Sequence, residues 1–380
     1  THRAGRIDHA AGARQWTRYG RDPRRGLQGC ERGRVCRRLP TVNENDPLMD
    51  TILGDDFKVV RQIGFGGFGR IYLAEQLSVG RRKVALKVLH AMHGDQAAAV
   101  AGLKREAAFL ALLRSPCFPR ILRTGTTPAG LPYFAMELVV GRTLDVTIRE
   151  SGPLPLANAA LVLDAVFDSV AELHARDIVH RDIKTGNIVL EQVPGVGTKV
   201  RMLDLGSARA AYEKDPVVSP SRPLSVGSPP FIAPETAKTG TTSDLSDVYS
   251  LGAVAYEVLC GVRALHLKDT SPDSYVHYLL SDKPIPTYRI GTLNPEIPEP
   301  VEAVVHKALA REPKDRFSSV AEMRQALLDV ILPIVGASRD VSALALARSP
   351  GAAQAPGSEG AAAPERHGLA KLLPLRFRKA

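Results

Sequence analysis

From Phe57 to about residue 90, apolar and polar residues alternate around a cluster of glycines; beyond Leu138 the apolar spacing becomes largely helical. A period of two suits strands half-buried on one face, whereas apolar residues three and four apart suit helices packed on a core. The alternation predicts strands at Phe57–Ile63, Arg70–Gln76 and Lys83–Leu89, a helical stretch at Ala97–Leu113 and another strand at Tyr133–Leu138. Helices are expected at Leu156–Ala175, Asp247–Cys260, Val301–Ala310 and Val320–Leu332. The expected fold class is therefore α+β, with a small antiparallel β-rich lobe ahead of a larger, mainly helical one. No internal repeat is visible.

Composition bounds the ends of the chain more than its middle. With 44% apolar and 24% charged residues the chain has globular composition. Its net charge of +10 sits outside the patterned region: residues 1–48 hold eleven arginines against five acids, residues 361–380 hold five basic residues against Glu365, and residues 49–360 sum to zero. That distribution argues against a basic binding face on the folded part, so no specific nucleic-acid partner is expected. Residues 1–48 show neither period and read as a disordered basic leader; residues 338–380 read as a flexible Ala/Pro/Gly-rich tail with a basic end. The end of that tail, Leu369–Ala380, could make weak membrane-surface contact, although Pro374 interrupts it. No transmembrane segment is expected, since no stretch approaches the roughly 18 uninterrupted apolar residues a spanning helix needs, and Val330–Val335 is broken by Pro333. No apolar stretch follows the early arginines as a signal peptide would require. Four scattered cysteines suit a reducing, cytoplasmic compartment.

Three segments carry chemistry. Gly64-Phe65-Gly66-Gly67-Phe68-Gly69 lies between two predicted strands. Without Cβ atoms at Gly64, Gly66 and Gly69, backbone amides can approach a polyphosphate closely. In Val84-Ala85-Leu86-Lys87 a lysine sits inside an apolar strand, where an unpaired ammonium is costly, so it needs an anionic partner. Glu106 on the following helix is the natural candidate, with ATP phosphates as the second. The strongest signal is His180-Arg181-Asp182-Ile183-Lys184-Thr185-Gly186-Asn187.

In this order the segments resemble the protein kinases, specifically the eukaryotic-like (Hanks-type) serine/threonine kinases also found in bacteria, over roughly Phe57–Leu332. The resemblance implies a bilobal fold with an N-lobe over about 57–138 and a C-lobe over about 141–332. It implies catalytic roles for Asp182, which would orient the acceptor hydroxyl and accept its proton, for Lys184, which would steady the transferring phosphate, and for Lys87. Asn187 and Asp204, the latter in Asp204-Leu205-Gly206, would hold Mg²⁺ or Mn²⁺. Met136 would be the gatekeeper, with backbone groups of Glu137 and Val139 on the adenine edge. Ile71 and Ala85 would roof the adenine and Val189 would floor it. Glu235 of Ala233-Pro234-Glu235 should pair with Arg316, Asp247 should hold the catalytic-loop backbone, and Ser228 should contact Asp182 and Lys184.

Thr185 and Gly186 depart from the family's usual residues, which predicts added flexibility in that loop. A phosphoserine at Ser225 or Ser221, or otherwise at Ser219, is expected to pair with Arg181 and Arg209. The implied partners are ATP and proteins with Ser or Thr acceptors, and the resemblance leaves room for a homodimer. A pseudokinase scaffold is the alternative within the fold, and a basic-tailed binding module the alternative outside it. Retention of Lys87, Asp182, Asn187 and Asp204 favours the enzyme.

Overall fold

The computed structural model describes residues 46–66, 69–89, 96–211, 227–281 and 287–335. They divide into two compact units, the first drawn from residues up to Ala108 with Arg120–Leu138, the second from Phe109–Pro119 and from Val139 onward.

In the first unit, alternation along each strand sends Phe57 and Val59, Tyr72 and Ala74, Val84, Leu86 and Val88, and Tyr133 and Ala135 into one buried cluster. The strands are β1 (Ile52–Leu53), β2 (Phe57–Gly66), β3 (Gly69–Gln76), β4 (Arg82–Leu89), β5 (Ile121–Thr126) and β6 (Pro132–Glu137), with α1 (Gln96–Leu112) between β4 and β5. They form one antiparallel sheet in the order β1-β2-β3-β4-β6-β5. Strand β5 escaped the sequence reading because it is an edge strand with no fully buried residue, so no alternation marks it. β4 is buried on both faces from Val84 to Leu89, which is why its sequence reads as a nearly continuous apolar run interrupted only by Lys87.

Residues 46–48, placed at the end of the expected leader, belong to the described fold. Asp46 is buried and accepts hydrogen bonds from Arg70 and Tyr72, while Leu48 and Met49 pack against the sheet core. A single acid carries no periodicity, so its partners could not be read from the chain. The rest of the expected leader and the expected tail lie outside the described residues.

The second unit is built on α5 (Asp244–Cys260), whose residues from Ser246 onward are all buried. A helix apolar on every side belongs at the centre of its unit. Around it pack α3 (Leu156–His174), α8 (Glu299–Ala308) and α9 (Val320–Val335). The shorter helices α2 (Leu144–Ser151), α6 (Pro272–Leu280) and α7 (Ile290–Leu293) bury at most three residues each, too few for a helical period to show. Short strands complete the unit: β7 (Gly141–Thr143), β9 (Ile188–Val193) and β10 (Gly197–Met202) form one sheet, and β8 (Ile178–Val179) pairs with β11 (Arg209–Ala210). The remaining helix, α4 (Pro234–Thr239), starts at the Ala-Pro-Glu segment. Among the described residues no helix is long and apolar enough to cross a membrane.

Candidate active site

The chemistry-bearing residues of the first unit gather on β2, β3, β4 and α1. Lys87 Nζ donates to both carboxylate oxygens of Glu106 at 2.6 and 2.7 Å, and both side chains are only 2% exposed. α1 places Glu106 there because Leu103, Ala107 and Leu110, spaced by three and four, turn the same face inward. Gly66 pairs with Gly69 across the β2–β3 turn, and Gly64 pairs with Ile71. A Cβ at Gly69 would stand 2.2 Å from the Val88 carbonyl oxygen, so only glycine fits this close strand approach. Ile71 pairs with Lys87 and Ala85 with Met136, putting these predicted adenine and phosphate neighbours on adjoining strands. The Glu137 N–H donates to the Arg120 carbonyl at 3.0 Å. Val139 belongs to the second unit, as does Val189, which is buried on β9 opposite Thr143.

In the second unit the residues following β8 converge. Ser228 Oγ donates to Asp182 Oδ1 at 3.0 Å, and Lys184 Nζ donates to Asp182 Oδ2 at 2.7 Å and to Ser228 Oγ at 2.8 Å. The Asn187 amide nitrogen donates to the Asp182 backbone carbonyl at 2.9 Å and to Oδ2 at 3.3 Å. Asp182 is thus an acceptor surrounded by donors, with its side chain 12% exposed. The backbone beneath it is held by Asp247 in the first turn of α5, whose carboxylate accepts the N–H groups of His180 and Arg181 at 2.8 and 3.0 Å. His174 at the end of α3 adds a 2.9 Å contact to the same carboxylate. Burial pushes the Asp247 carboxyl up, but His174, His180 and the Arg181 N–H outweigh it and hold the group below the usual carboxylate range.

The β9–β10 hairpin brings Asn187 and Asp204 together. Ile188 opens β9 opposite Met202 at the end of β10, and the next residue out, Leu203, donates its N–H to the Asn187 carbonyl at 2.8 Å. Asp204 follows in the left-handed region (φ 66°), which aspartate tolerates better than most residues, and accepts the Gly206 N–H at 3.1 Å. The Asn187 hydrogen bonds use its amide nitrogen, so its carbonyl oxygen and the Asp204 carboxylate form a hard-oxygen donor set of the kind magnesium takes. The residues present fit that ion.

At Thr185 and Gly186, where the departures from the family predicted flexibility, one side chain is tied to the helix behind it. Residues 185–187 form a 3-10 turn, Thr185 is fully buried, and its hydroxyl donates to Glu257 Oε2 on α5 at 2.9 Å. The same carboxylate accepts from Arg263 at 2.6 Å, and the Arg263 guanidinium lies 4.6 Å from the centre of the Phe231 ring. Glu257 was overlooked, although an acid inside the apolar run Leu251–Cys260 is a signal that a buried partner must exist.

A family model for the protein kinase domain matches residues 57–328. The chain belongs to the protein kinase family. It is 33% identical over 288 residues to the serine/threonine-protein kinase Pkn1 of Myxococcus xanthus, an alignment covering 76% of this chain and 40% of that protein. The serine/threonine-protein kinase PknB of Mycobacterium tuberculosis is 34% identical over 281 residues, 73% of this chain and 43% of its own length. The resemblance to Hanks-type bacterial kinases holds, and the chain spans about two fifths of the length of the curated relatives it matches. In the kinase fold so assigned, Glu235 accepts a two-pronged bond from Arg316, at 2.7 Å on each oxygen, anchoring the segment that ends in Ser228 to Glu235. The serines expected to be phosphorylated, Ser219, Ser221 and Ser225, lie outside the described residues.

Proposed function

We propose that this chain transfers the γ-phosphate of ATP to Ser or Thr hydroxyls of proteins, its own activation segment among them. The observation that carries the reading is the Asp182 carboxylate, hydrogen-bonded at once to Lys184, Ser228 and Asn187. A substrate hydroxyl displacing Ser228 from Oδ1 would meet a base already oriented, while Lys184 supplies positive charge where the transferring phosphate gains negative charge. The acceptor oxygen forms its bond to phosphorus, the bond to the β-phosphate bridging oxygen breaks, and the acceptor proton passes to Asp182. Lys87, kept ionised by Glu106, would hold the α and β phosphates, with the glycine-rich β2–β3 turn beside them. Asn187 and Asp204 would hold the divalent cation, which supplies charge neutralisation at the phosphates. Most of the acceleration would come from positioning and fixed charge.

The retained Lys87, Asp182, Asn187 and Asp204 support an enzyme over a scaffold, and use of ATP with few cysteines supports the cytoplasm as its compartment. Incubation of the full chain with γ-labelled ATP and either Mg²⁺ or Mn²⁺, followed by phosphosite mapping, tests this directly. The reading predicts phosphoserine or phosphothreonine; label confined to tyrosine, or none with either cation, refutes it.

A further inference from the structure

The family match begins at residue 57, yet the sheet is gripped from further upstream. Asp46, 6% exposed, accepts from Arg70 Nη1 and from the Tyr72 hydroxyl, both at 2.7 Å on Oδ2, and from the Leu48 N–H at 3.1 Å on Oδ1. The segment after it is clipped to β2: the Asp50 N–H donates to the Val59 carbonyl, and the Val59 N–H donates to Thr51. Arg70 stands one residue past Gly69 and pairs with Phe65 on one side and Val88 on the other. Side chains alternate along β3, so Arg70 and Tyr72 lie on the face opposite Ile71, whose cross-strand partner is Lys87.

We propose that Asp46 is a positioning residue for phosphate binding: by gripping Arg70 and Tyr72 from behind, it fixes the strand that leaves the glycine-rich turn and thereby sets the affinity for MgATP. The inference rests on the nucleotide reading above. A carboxylate at this depth is costly unless it is paired and hydrogen-bonded, and three donors, one of them charged, meet that condition. An apolar residue would fill the same space without that cost, so what the acid adds is a fixed geometry for Arg70. Burial and the Asp46 carboxylate push the Tyr72 hydroxyl up to about 12, so it remains a donor throughout the ordinary pH range.

The test uses the full 380-residue chain and three variants: Asp46→Ala, Tyr72→Phe and Leu48→Ala. Leu48 packs on the same core through an apolar side chain, and its bond to Asp46 uses the backbone N–H that Leu48→Ala keeps, so this variant reports loss of packing. For each, the Kd for MgATP, the KM for ATP, kcat at saturating ATP and the thermal midpoint are measured. Asp46→Ala should raise Kd and KM for MgATP by about tenfold, and Tyr72→Phe by about threefold, with kcat within about twofold of the parent. Leu48→Ala should lower the thermal midpoint while leaving Kd unchanged. Unchanged Kd in both Asp46→Ala and Tyr72→Phe overturns the proposal, as does a Kd that rises in step with loss of thermal stability in all three. Should Asp46→Ala fail to fold, Tyr72→Phe against Leu48→Ala decides by the same criterion. If the parent chain binds no MgATP, the nucleotide reading itself fails and the inference falls with it.

Discussion

Thr185 and Asp247 hold the loop that carries Asp182, Lys184 and Asn187 from two sides. Thr185 stands where the family usually has proline, and its hydroxyl bond to Glu257 restrains the turn that a ring would otherwise stiffen. Thr185→Val, which keeps the shape and removes the donor, should lower kcat by roughly three- to tenfold through a slightly misplaced loop, with Thr185→Ser recovering most of it. Equal rates in steady-state assays of the three proteins would remove Thr185 from this role. The Asp247–His174 contact makes a pH prediction. Burial alone would push the His174 pKa down, but the bond to and charge of Asp247, with Asp244 beside it, hold it above the ordinary value. Its contribution to stability is therefore complete below about pH 6.5 and fades as the pH rises through the folded-state value. Asp247, held low, acts with the opposite sign: its contribution is present above the usual carboxylate range and is lost as the pH falls through its depressed value. Thermal melts above about pH 6.5 should show His174→Gln losing less stability with rising pH than the parent chain. Parallel curves would contradict the pairing.

Among the elements, the helices α3, α5, α8 and α9 were legible because long apolar periods leave little choice of structure, and their ends fell within three residues of expectation. The meeting of Asp182, Lys184 and Asn187 was legible through motif order, since they are close in the chain and need just one turn to meet. Pairing at long range could be read only where the family resemblance supplied it, as for Glu235 with Arg316 and Ser228 with Asp182. The bond from Thr185 to Glu257, the two donors on Asp46 and the meeting of Arg263 with Phe231 depend on how elements pack, which leaves no local period behind. Strand β5 and helix α2 were missed for a related reason: each buries too little surface to pattern its own sequence. The Glu235–Arg316 pair ties α4 to the turn before α9, and the Arg316 side chain is fully buried. Arg316 would keep its carbonyl acceptors on Leu245, Ala310 and Arg311 but lose its counter-charge, so Glu235→Ala should cost about 1.5–3 kcal/mol in denaturant unfolding. A loss below about 1 kcal/mol would mean that water replaces the carboxylate and the pair carries little.

At the scale of the whole molecule, the net charge of +10 resides in residues 1–48 and 361–380, while residues 49–360 sum to zero. The family assignment covers residues 57–328, and the contacts of Asp46 extend the working unit upstream of that limit. The account depends on Asp182 acting as the base in an ATP-dependent transfer. Asp182→Asn keeps the size of the side chain and removes its basicity, so nucleotide binding and transfer should separate. The most direct measurement is phosphate transfer from γ-labelled ATP by the parent and Asp182→Asn chains, run beside their Kd for MgATP. Transfer should fall by about 10²–10⁴-fold while the Kd stays within about threefold; transfer by Asp182→Asn at the parent rate would contradict the assignment.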